Sequence, residues 1–94
     1  MAPNQRFTIN KEIVYREEDD GAFLFDPDSG NLKYMNLTGK ETFLVLKKKG
    51  GFSQAIAHIR GQYPDVDPEQ IQKDMEVFVG QLEENAFITS VVRE

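Results

Sequence analysis

The side chains that could carry catalysis or bind a metal are few in this sequence, and they do not cluster. His58 is the single histidine and there is no cysteine, so a transition-metal site would need several carboxylates to converge on one imidazole. Asp26, Asp28 and Gly30 follow the spacing of a calcium loop only in part, because Gly30 stands where an oxygen ligand belongs. No G-x-S-x-G run surrounds a serine. We therefore expect no catalytic residue, no metal site and no cofactor.

The composition is that of a small acidic domain. The 94 residues carry eleven lysine and arginine side chains against sixteen aspartates and glutamates, which gives a net charge of -5. That balance argues against general binding of nucleic acid or of anionic membranes. No apolar run is longer than that at residues 43–46, which is too short to span a bilayer, and the N-terminus lacks the apolar run of a secretory signal. Because the chain also has no cysteine, we expect a cytoplasmic protein.

The first part of the chain has the alternation and the turn residues of short strands. Residues near 12–16, 22–26 and 31–36 are rich in β-formers. The acidic run at 17–21 and the Asp, Pro, Ser and Gly residues at 26–31 have turn chemistry. The pattern predicts an antiparallel meander of three strands.

After residue 37 the apolar period changes to that of helices. We expect helices near 39–49, 54–63 and 68–84, capped at their starts by Thr38, Ser53 and Asp67. Asn85 is a candidate for the residue that follows the last helix, after which residues 87–88 could fold back onto the core. The expected core residues are Phe43, Leu46, Ile56, Ile59, Ile71, Met75, Phe78 and Leu82. The fold class is α+β, with a three-stranded antiparallel sheet followed by three helices.

One domain accounts for most of the length, since a chain of this size forms a single core. We expect a flexible N-terminal arm at residues 1–11, a single domain at 12–88 and a C-terminal tail at 89–94. Phe7 and Ile9 alternate with polar residues, so part of the arm could be extended.

The third strand could bind a peptide through its edge. Leu32, Lys33, Tyr34 and Met35 are apolar apart from the lysine, and an outer strand of a meander leaves one row of backbone groups unpaired. A guest peptide could add as a further strand and place alternate side chains in a groove beside a helix. The alternative is structural: Met35 and Leu37 pack inward on the helices and Tyr34 is only half exposed.

The third helix has one apolar residue outside its core-facing stripe. Val77 lies about 120° from Ile71 around the helix, among polar and charged side chains. It could belong to a contact surface or be an accident of composition.

The sequence also resembles the PqqD-like family over roughly residues 12–88. The resemblance is carried by VYREE at 14–18, LFDPDSG at 24–30, YMNLTG at 34–39 and Tyr63 before DVD at 65–67. It implies a winged helix-turn-helix-like domain of three strands and three helices. It also implies a non-catalytic peptide chaperone, which captures the leader of a ribosomally made precursor peptide and presents it to a maturation enzyme, often a radical-SAM protein.

By this resemblance the leader lies between the third strand and the third helix. The residues so implicated are Leu32, Lys33, Tyr34, Met35, Lys73, Val77 and Gln81. Synthesis of pyrroloquinoline quinone is one possible pathway among several for modified peptides.

Two other classes of function remain to be weighed. A winged-helix DNA-binding regulator needs a basic face, whereas the third helix is acidic and the one basic cluster is at Lys47, Lys48 and Lys49. An enzyme, or an accessory subunit of one, is disfavoured by the missing catalytic groups. The expected partners are thus a leader peptide and its maturation enzyme, with no nucleic acid and no membrane.

Overall fold

The computed structural model describes residues 5–91. It contains two antiparallel sheets and three helices in that range. In chain order the elements are β1 (Arg6–Ile9), β2 (Val14–Glu18), β3 (Gly21–Phe25), β4 (Leu32–Asn36), α1 (Leu37–Lys49), α2 (Phe52–Gln62), α3 (Pro68–Glu84) and β5 (Ile88–Val91). The predicted α+β order of a three-stranded meander followed by three helices is confirmed. None of the helices in residues 5–91 has the length and apolar character that a bilayer crossing needs.

The meander has the strand order β2-β3-β4. Its second turn is as predicted: the buried Asp26 carboxylate accepts from the Asp28 N–H at 3.0 Å and from the Ser29 hydroxyl at 2.9 Å. The first turn is shorter than expected. Glu17 and Glu18 belong to β2, where they pair with Ala22 and Gly21, because strand pairing continues to within two residues of the reversal.

Helix α1 covers one face of this sheet. Leu24 and Met35 are fully buried beneath α1, and the Tyr15 ring stacks on Phe43 with centroids 5.8 Å apart. Burying such side chains against α1 supplies much of the free energy of folding, at about 1.5–3 kcal/mol for each. The opposite face of the sheet points away from α1.

Two helices begin earlier than the sequence indicated. Asn36, not Thr38, caps α1, because its side-chain oxygen accepts from the Gly39 N–H at 2.9 Å. The N-cap of α2 is Gly51 rather than Ser53. Phe52 is therefore the first residue of α2, where its ring is buried and its N–H donates to the Gln5 carbonyl at 2.9 Å.

The third helix begins at its predicted cap, Asp67. The set of its residues that face the core differs from the predicted set. Its buried residues are Ile71, Met75, Val79 and Leu82. Phe78 was expected among them and is only half-buried. Helical spacing allows either Phe78 or Val79 to complete the stripe, and packing against α1 and α2 selects Val79.

The end of α3 also differs in detail from the prediction. Asn85 has φ of -91° and is the C-cap, while the left-handed residue beyond it is Ala86, with φ of 62°. The fold-back of residues 87–88 is confirmed: both side chains are buried, and the Phe87 N–H donates to the Leu82 carbonyl at 2.9 Å.

The expected arm and tail form a second sheet, so the expectation that they lie outside the domain is corrected. Strands β1 and β5 pair along their whole length, with Phe7 opposite Ser90, and Phe7 is 2% exposed in the core. The sequence did not predict this pairing, because the two strands lie at opposite ends of the chain and neither has a partner strand nearby in sequence. Residues 1–4 of the arm and 92–94 of the tail lie outside the described residues.

Candidate functional site

Strand β4 has an open edge. It pairs with β3 on one side, and no strand in the described range 5–91 pairs with the other side. The Asp26 N–H donates to the Asn31 carbonyl at 2.9 Å, so these two residues form a hydrogen-bonded pair just before the ladder. Because such pairs alternate along antiparallel strands, Lys33 and Met35 direct their backbone groups toward β3.

The same alternation leaves three residues of β4 with outward backbone groups. Leu32 and Tyr34 each direct an N–H and a C=O toward the open edge. Asn36 directs its N–H there, whereas its C=O accepts the first hydrogen bond of α1 because Asn36 is the N-cap. Those groups are spaced two residues apart, as the ladder of an added strand requires. The sequence indicated that this strand has a free edge. Which of its residues direct their backbone groups outward, here called the parity of the strand, could be assigned only from the register.

Helix α3 runs beside this edge and forms a groove with it. The Lys33 ammonium donates to the Gln81 side-chain oxygen at 2.9 Å and lies 5.9 Å from the centroid of the Phe78 ring. Two residues predicted separately from the strand and from the helix are thus in direct contact. Side chains that point from β4 toward the core side form the floor of the groove, and α3 forms its wall.

A cavity of about 290 Å³ opens at the end of the groove where β4 passes into α1. Its walls include Thr38, Gly39, Tyr63, Val66, Asp74 and Phe78. A methyl group at Gly39 would stand 3.1 Å from the Phe78 ring, so the glycine is what lets that ring approach α1. Aromatic and aliphatic walls with a hydroxyl and a carboxylate suit an apolar side chain attached to a polar backbone.

The remaining predicted site residues fall in different places. Leu32, Tyr34 and Val77 are exposed. Met35 is 1% exposed and its side chain belongs to the core, which is the structural alternative for that residue, whereas Leu37 is exposed rather than packed inward.

On α3, the predicted residues are spread around the helix. Around the axis of α3, Val77 lies about 40° farther from the groove than Gln81, and Lys73 lies about 80° farther. Both are exposed, so Val77 lies at the rim of the groove and Lys73 lies beyond it.

Several groove residues were missed or assigned another role. Phe78 was placed in the core, while Asp74, Tyr63, Val66 and Gly39 were given no role in binding. The off-stripe angle of Asp74 is visible in the sequence. That this exposed carboxylate lines the cavity depends on how α3 is rotated against the sheet.

Tyr15 and Glu17, on the α1 side of the sheet, have shifted pKa values. Burial raises the pKa of the Tyr15 phenol, and its hydrogen bond to Glu17 raises it further. A hydrogen bond from Lys40, with Nζ 3.2 Å from the carboxylate, lowers the pKa of Glu17. His58 contacts Glu41 at 3.0 Å on the surface. Among residues 5–91, no three histidine or acidic side chains are grouped so that they could hold a metal ion.

Known proteins share both the sequence pattern and the fold. The family model described as coenzyme PQQ synthesis protein D (PqqD) matches residues 21–88. No curated protein matches the chain.

Two solved structures are similar over nearly their whole length. "TbiB1 in Complex with the TbiA(beta) Leader Peptide" is 17% identical with a TM-score of 0.81, over 92% of this chain and 99% of that chain. "Lasso peptide synthetase B1 complexed with the leader peptide" is 23% identical with a TM-score of 0.77, over 89% and 98%. At these identities the likeness establishes the common fold.

Proposed function

Since this chain belongs to the PqqD family, we propose that it is a non-catalytic peptide-binding module, which captures the leader of a ribosomally made precursor peptide by strand addition. The observation that carries the proposal is the open edge of β4 beside the groove of α3. Two proteins of the same fold have been solved with leader peptides, which supports a peptide as the ligand.

Backbone pairing supplies affinity that depends little on sequence. A guest strand beside β4 meets the outward groups of Leu32, Tyr34 and Asn36, and each hydrogen bond contributes about 0.5–1.5 kcal/mol. Leu32 and Tyr34 each offer an N–H and a C=O, and Asn36 offers its N–H, so a guest strand could make up to about five such bonds. Because ordering a flexible leader costs free energy, side-chain contacts must supply the rest.

Side-chain contacts give the selectivity. Alternate residues of the guest strand point into the groove, where they meet Lys33, Gln81, Val77 and the Phe78 ring. An apolar side chain at one end of that segment would enter the cavity between Phe78, Tyr63 and Val66. We therefore propose Leu32, Lys33, Tyr34, Val77 and Gln81 as contact residues, with Met35 beneath the strand and Lys73 at the far margin.

The proposed role in the pathway is delivery. A domain that holds the leader leaves the rest of the precursor free for a maturation enzyme, for which a radical-SAM protein is one candidate class. The pathway is that of PQQ or of another modified peptide. The alternative of a DNA-binding regulator is not supported, because α3 carries five acidic side chains and one lysine, opposite to what phosphate contacts need.

Amide exchange tests the binding mode directly. The experiment follows hydrogen exchange by NMR in the free protein and after addition of a leader segment taken from a short precursor peptide sought among the genes that neighbour this chain's gene. The amides of Leu32, Tyr34 and Asn36 should become protected only with peptide, whereas Lys33 and Met35 should be protected already. A saturating leader that leaves all three outward amides unprotected rules out strand addition at β4.

The cavity has a separate test. Gly39→Ala places a methyl group 3.1 Å from the Phe78 ring, so the ring must shift toward the groove. We expect weaker leader binding, measured by calorimetry, with the fold retained because alanine is favourable within a helix. Gly61→Ala in α2, where a methyl group meets no neighbouring atom, is the matched control. Equal affinity in both variants would place the peptide away from the cavity.

A further inference from the structure

The face of the meander opposite α1 is apolar and exposed. Register and alternation bring two rows of side chains together on it. The rows are Val14, Phe25 and Leu32 in one, and Arg16, Phe23 and Tyr34 in the other. Val14, Phe25, Leu32 and Tyr34 are 52%, 39%, 65% and 46% exposed. We call this surface the outer face; a contiguous exposed apolar surface of this kind typically marks an interaction site.

The segment that carries the outer face is acidic. Residues 12–36 carry seven acidic and two basic side chains, so this segment alone has a charge of -5, equal to that of the whole chain. Three of the acids, Glu18, Asp19 and Asp20, lie at the β2–β3 end of the meander, whereas the Glu17 carboxylate lies on the α1 side, 3.2 Å from the Lys40 ammonium. A second copy would bring like charges together at the rim, whereas a partner with lysines and arginines around an apolar centre would be attracted.

The size of the outer face favours a transient partner. Three strands of five residues cover about 14 Å by 17 Å, or about 240 Å² on each partner. Two such faces bury about 500 Å², well short of the roughly 1,200 Å² at which stable specific interfaces begin. The outer face therefore cannot hold a stable dimer by itself.

The outer face is continuous with the proposed peptide site. Strand β4 contributes Leu32 and Tyr34 to it and also provides the open edge. A peptide strand added to that edge points every second side chain toward the same side of the sheet. The loaded protein would thus present a four-stranded surface, of which one strand is the peptide.

We propose that the outer face, extended by the bound peptide strand, is the docking surface for the enzyme that modifies that peptide. The matching enzyme surface is apolar at its centre and basic at its rim. This inference rests on the function proposed for the β4 edge. Since the peptide completes the surface, the enzyme binds the loaded protein more tightly than the free one, and by linkage the enzyme tightens peptide binding by the same factor.

Variants on the strands away from the edge separate docking from peptide capture. Val14→Ser and Phe25→Ser, singly and together, remove apolar area from β2 and β3 while leaving β4 intact. Val91→Ser is the matched control, because Val91 is a similarly exposed apolar residue on β5 in the other sheet. Should the double variant unfold, Val14→Ser alone, at the more exposed position, gives the measurement.

The assay uses the precursor peptide whose leader this protein binds and the enzyme that modifies that peptide. Leader affinity, by calorimetry, should be unchanged in all variants. Peptide modification at low enzyme concentration should fall about tenfold or more in the double variant and stay at the parental rate in Val91→Ser. The enzyme's affinity for the loaded parent should also weaken as salt rises, because the rim contacts are charged.

The outcomes are distinguishable. If the parent does not bind the leader, the proposed function fails and this inference fails with it. If the leader binds but the double variant supports modification at the parental rate, the docking surface is elsewhere and the proposed function stands. If the parent forms a dimer by sedimentation that Val14→Ser and Phe25→Ser dissociate, the outer face joins two copies of the chain and the inference is overturned.

Discussion

A single proline at Tyr34 should weaken peptide binding while leaving the sheet intact. The Tyr34 N–H points away from β3, so proline there removes no bond of the internal ladder, and an edge position with an outward N–H tolerates proline. The same group is proposed to donate to the guest strand. Its loss should cost about 1 kcal/mol of binding free energy, which is about a fivefold increase in Kd.

Two variants isolate the backbone contribution. Tyr34→Ala also removes the contact of the Tyr34 ring with Phe23, whose centroids are 5.2 Å apart, but it keeps the N–H. Lys33→Pro, one residue earlier, removes an inward N–H and leaves the opposite Leu24 carbonyl without its partner. That carbonyl is buried in the core, so we expect a loss of about 1–3 kcal/mol in the free energy of unfolding.

The assay has two parts. Urea denaturation should show Lys33→Pro well below both Tyr34 variants in stability, and calorimetry with the leader should show weaker binding by Tyr34→Pro than by Tyr34→Ala. Folded Tyr34→Pro protein that binds the leader as tightly as Tyr34→Ala would refute backbone pairing at this position. Equal loss of stability for proline at 33 and 34 would refute the assigned parity.

Other predictions concern the ends of the domain and one ion pair. Ala86→Gly should raise the free energy of unfolding by about 1 kcal/mol, because alanine has a left-handed φ of 62° there; no rise in the thermal midpoint would contradict this. Phe7→Ala should lower the free energy of unfolding, measured by urea denaturation, by about 3–5 kcal/mol, since Phe7 is buried. Thr8→Ala, on the exposed side of β1, should lower it little. Equal losses in the two variants would show that β1 does not contribute to the core. Lys40 lowers the pKa of Glu17, so the stability that this pair contributes is present above the unfolded value of 4.5 and is lost as the pH falls from there. Lys40→Met should make the denaturation midpoint depend less on pH below that value. An unchanged pH profile of the midpoint would show that the pair does not contribute to stability.

Local chemistry determined much of this fold. The change of apolar period near residue 37 separates the meander from the helices, and Asp67 followed by Pro68 fixes the start of α3. The Asp26 turn follows from side chains that bond their own backbone within three residues. Each of these features depends on neighbours in sequence, which is why the sequence alone predicted them. The family resemblance also indicated the peptide-binding role.

Features that depend on distant partners were decided only by the tertiary structure. Phe7 and Ser90 are paired although almost the whole chain separates them. The residues adjacent to each of them in sequence do not predict this pairing. Asn36, and not the predicted Thr38, is the N-cap of α1, because β4 continues directly into the helix. Whether Phe78 or Val79 faces the core is a rotation of α3, decided by the surfaces that α3 packs against. The outward parity of Tyr34 follows from the register of β3 against β4, because a shift of one residue would exchange the open and the paired backbone groups.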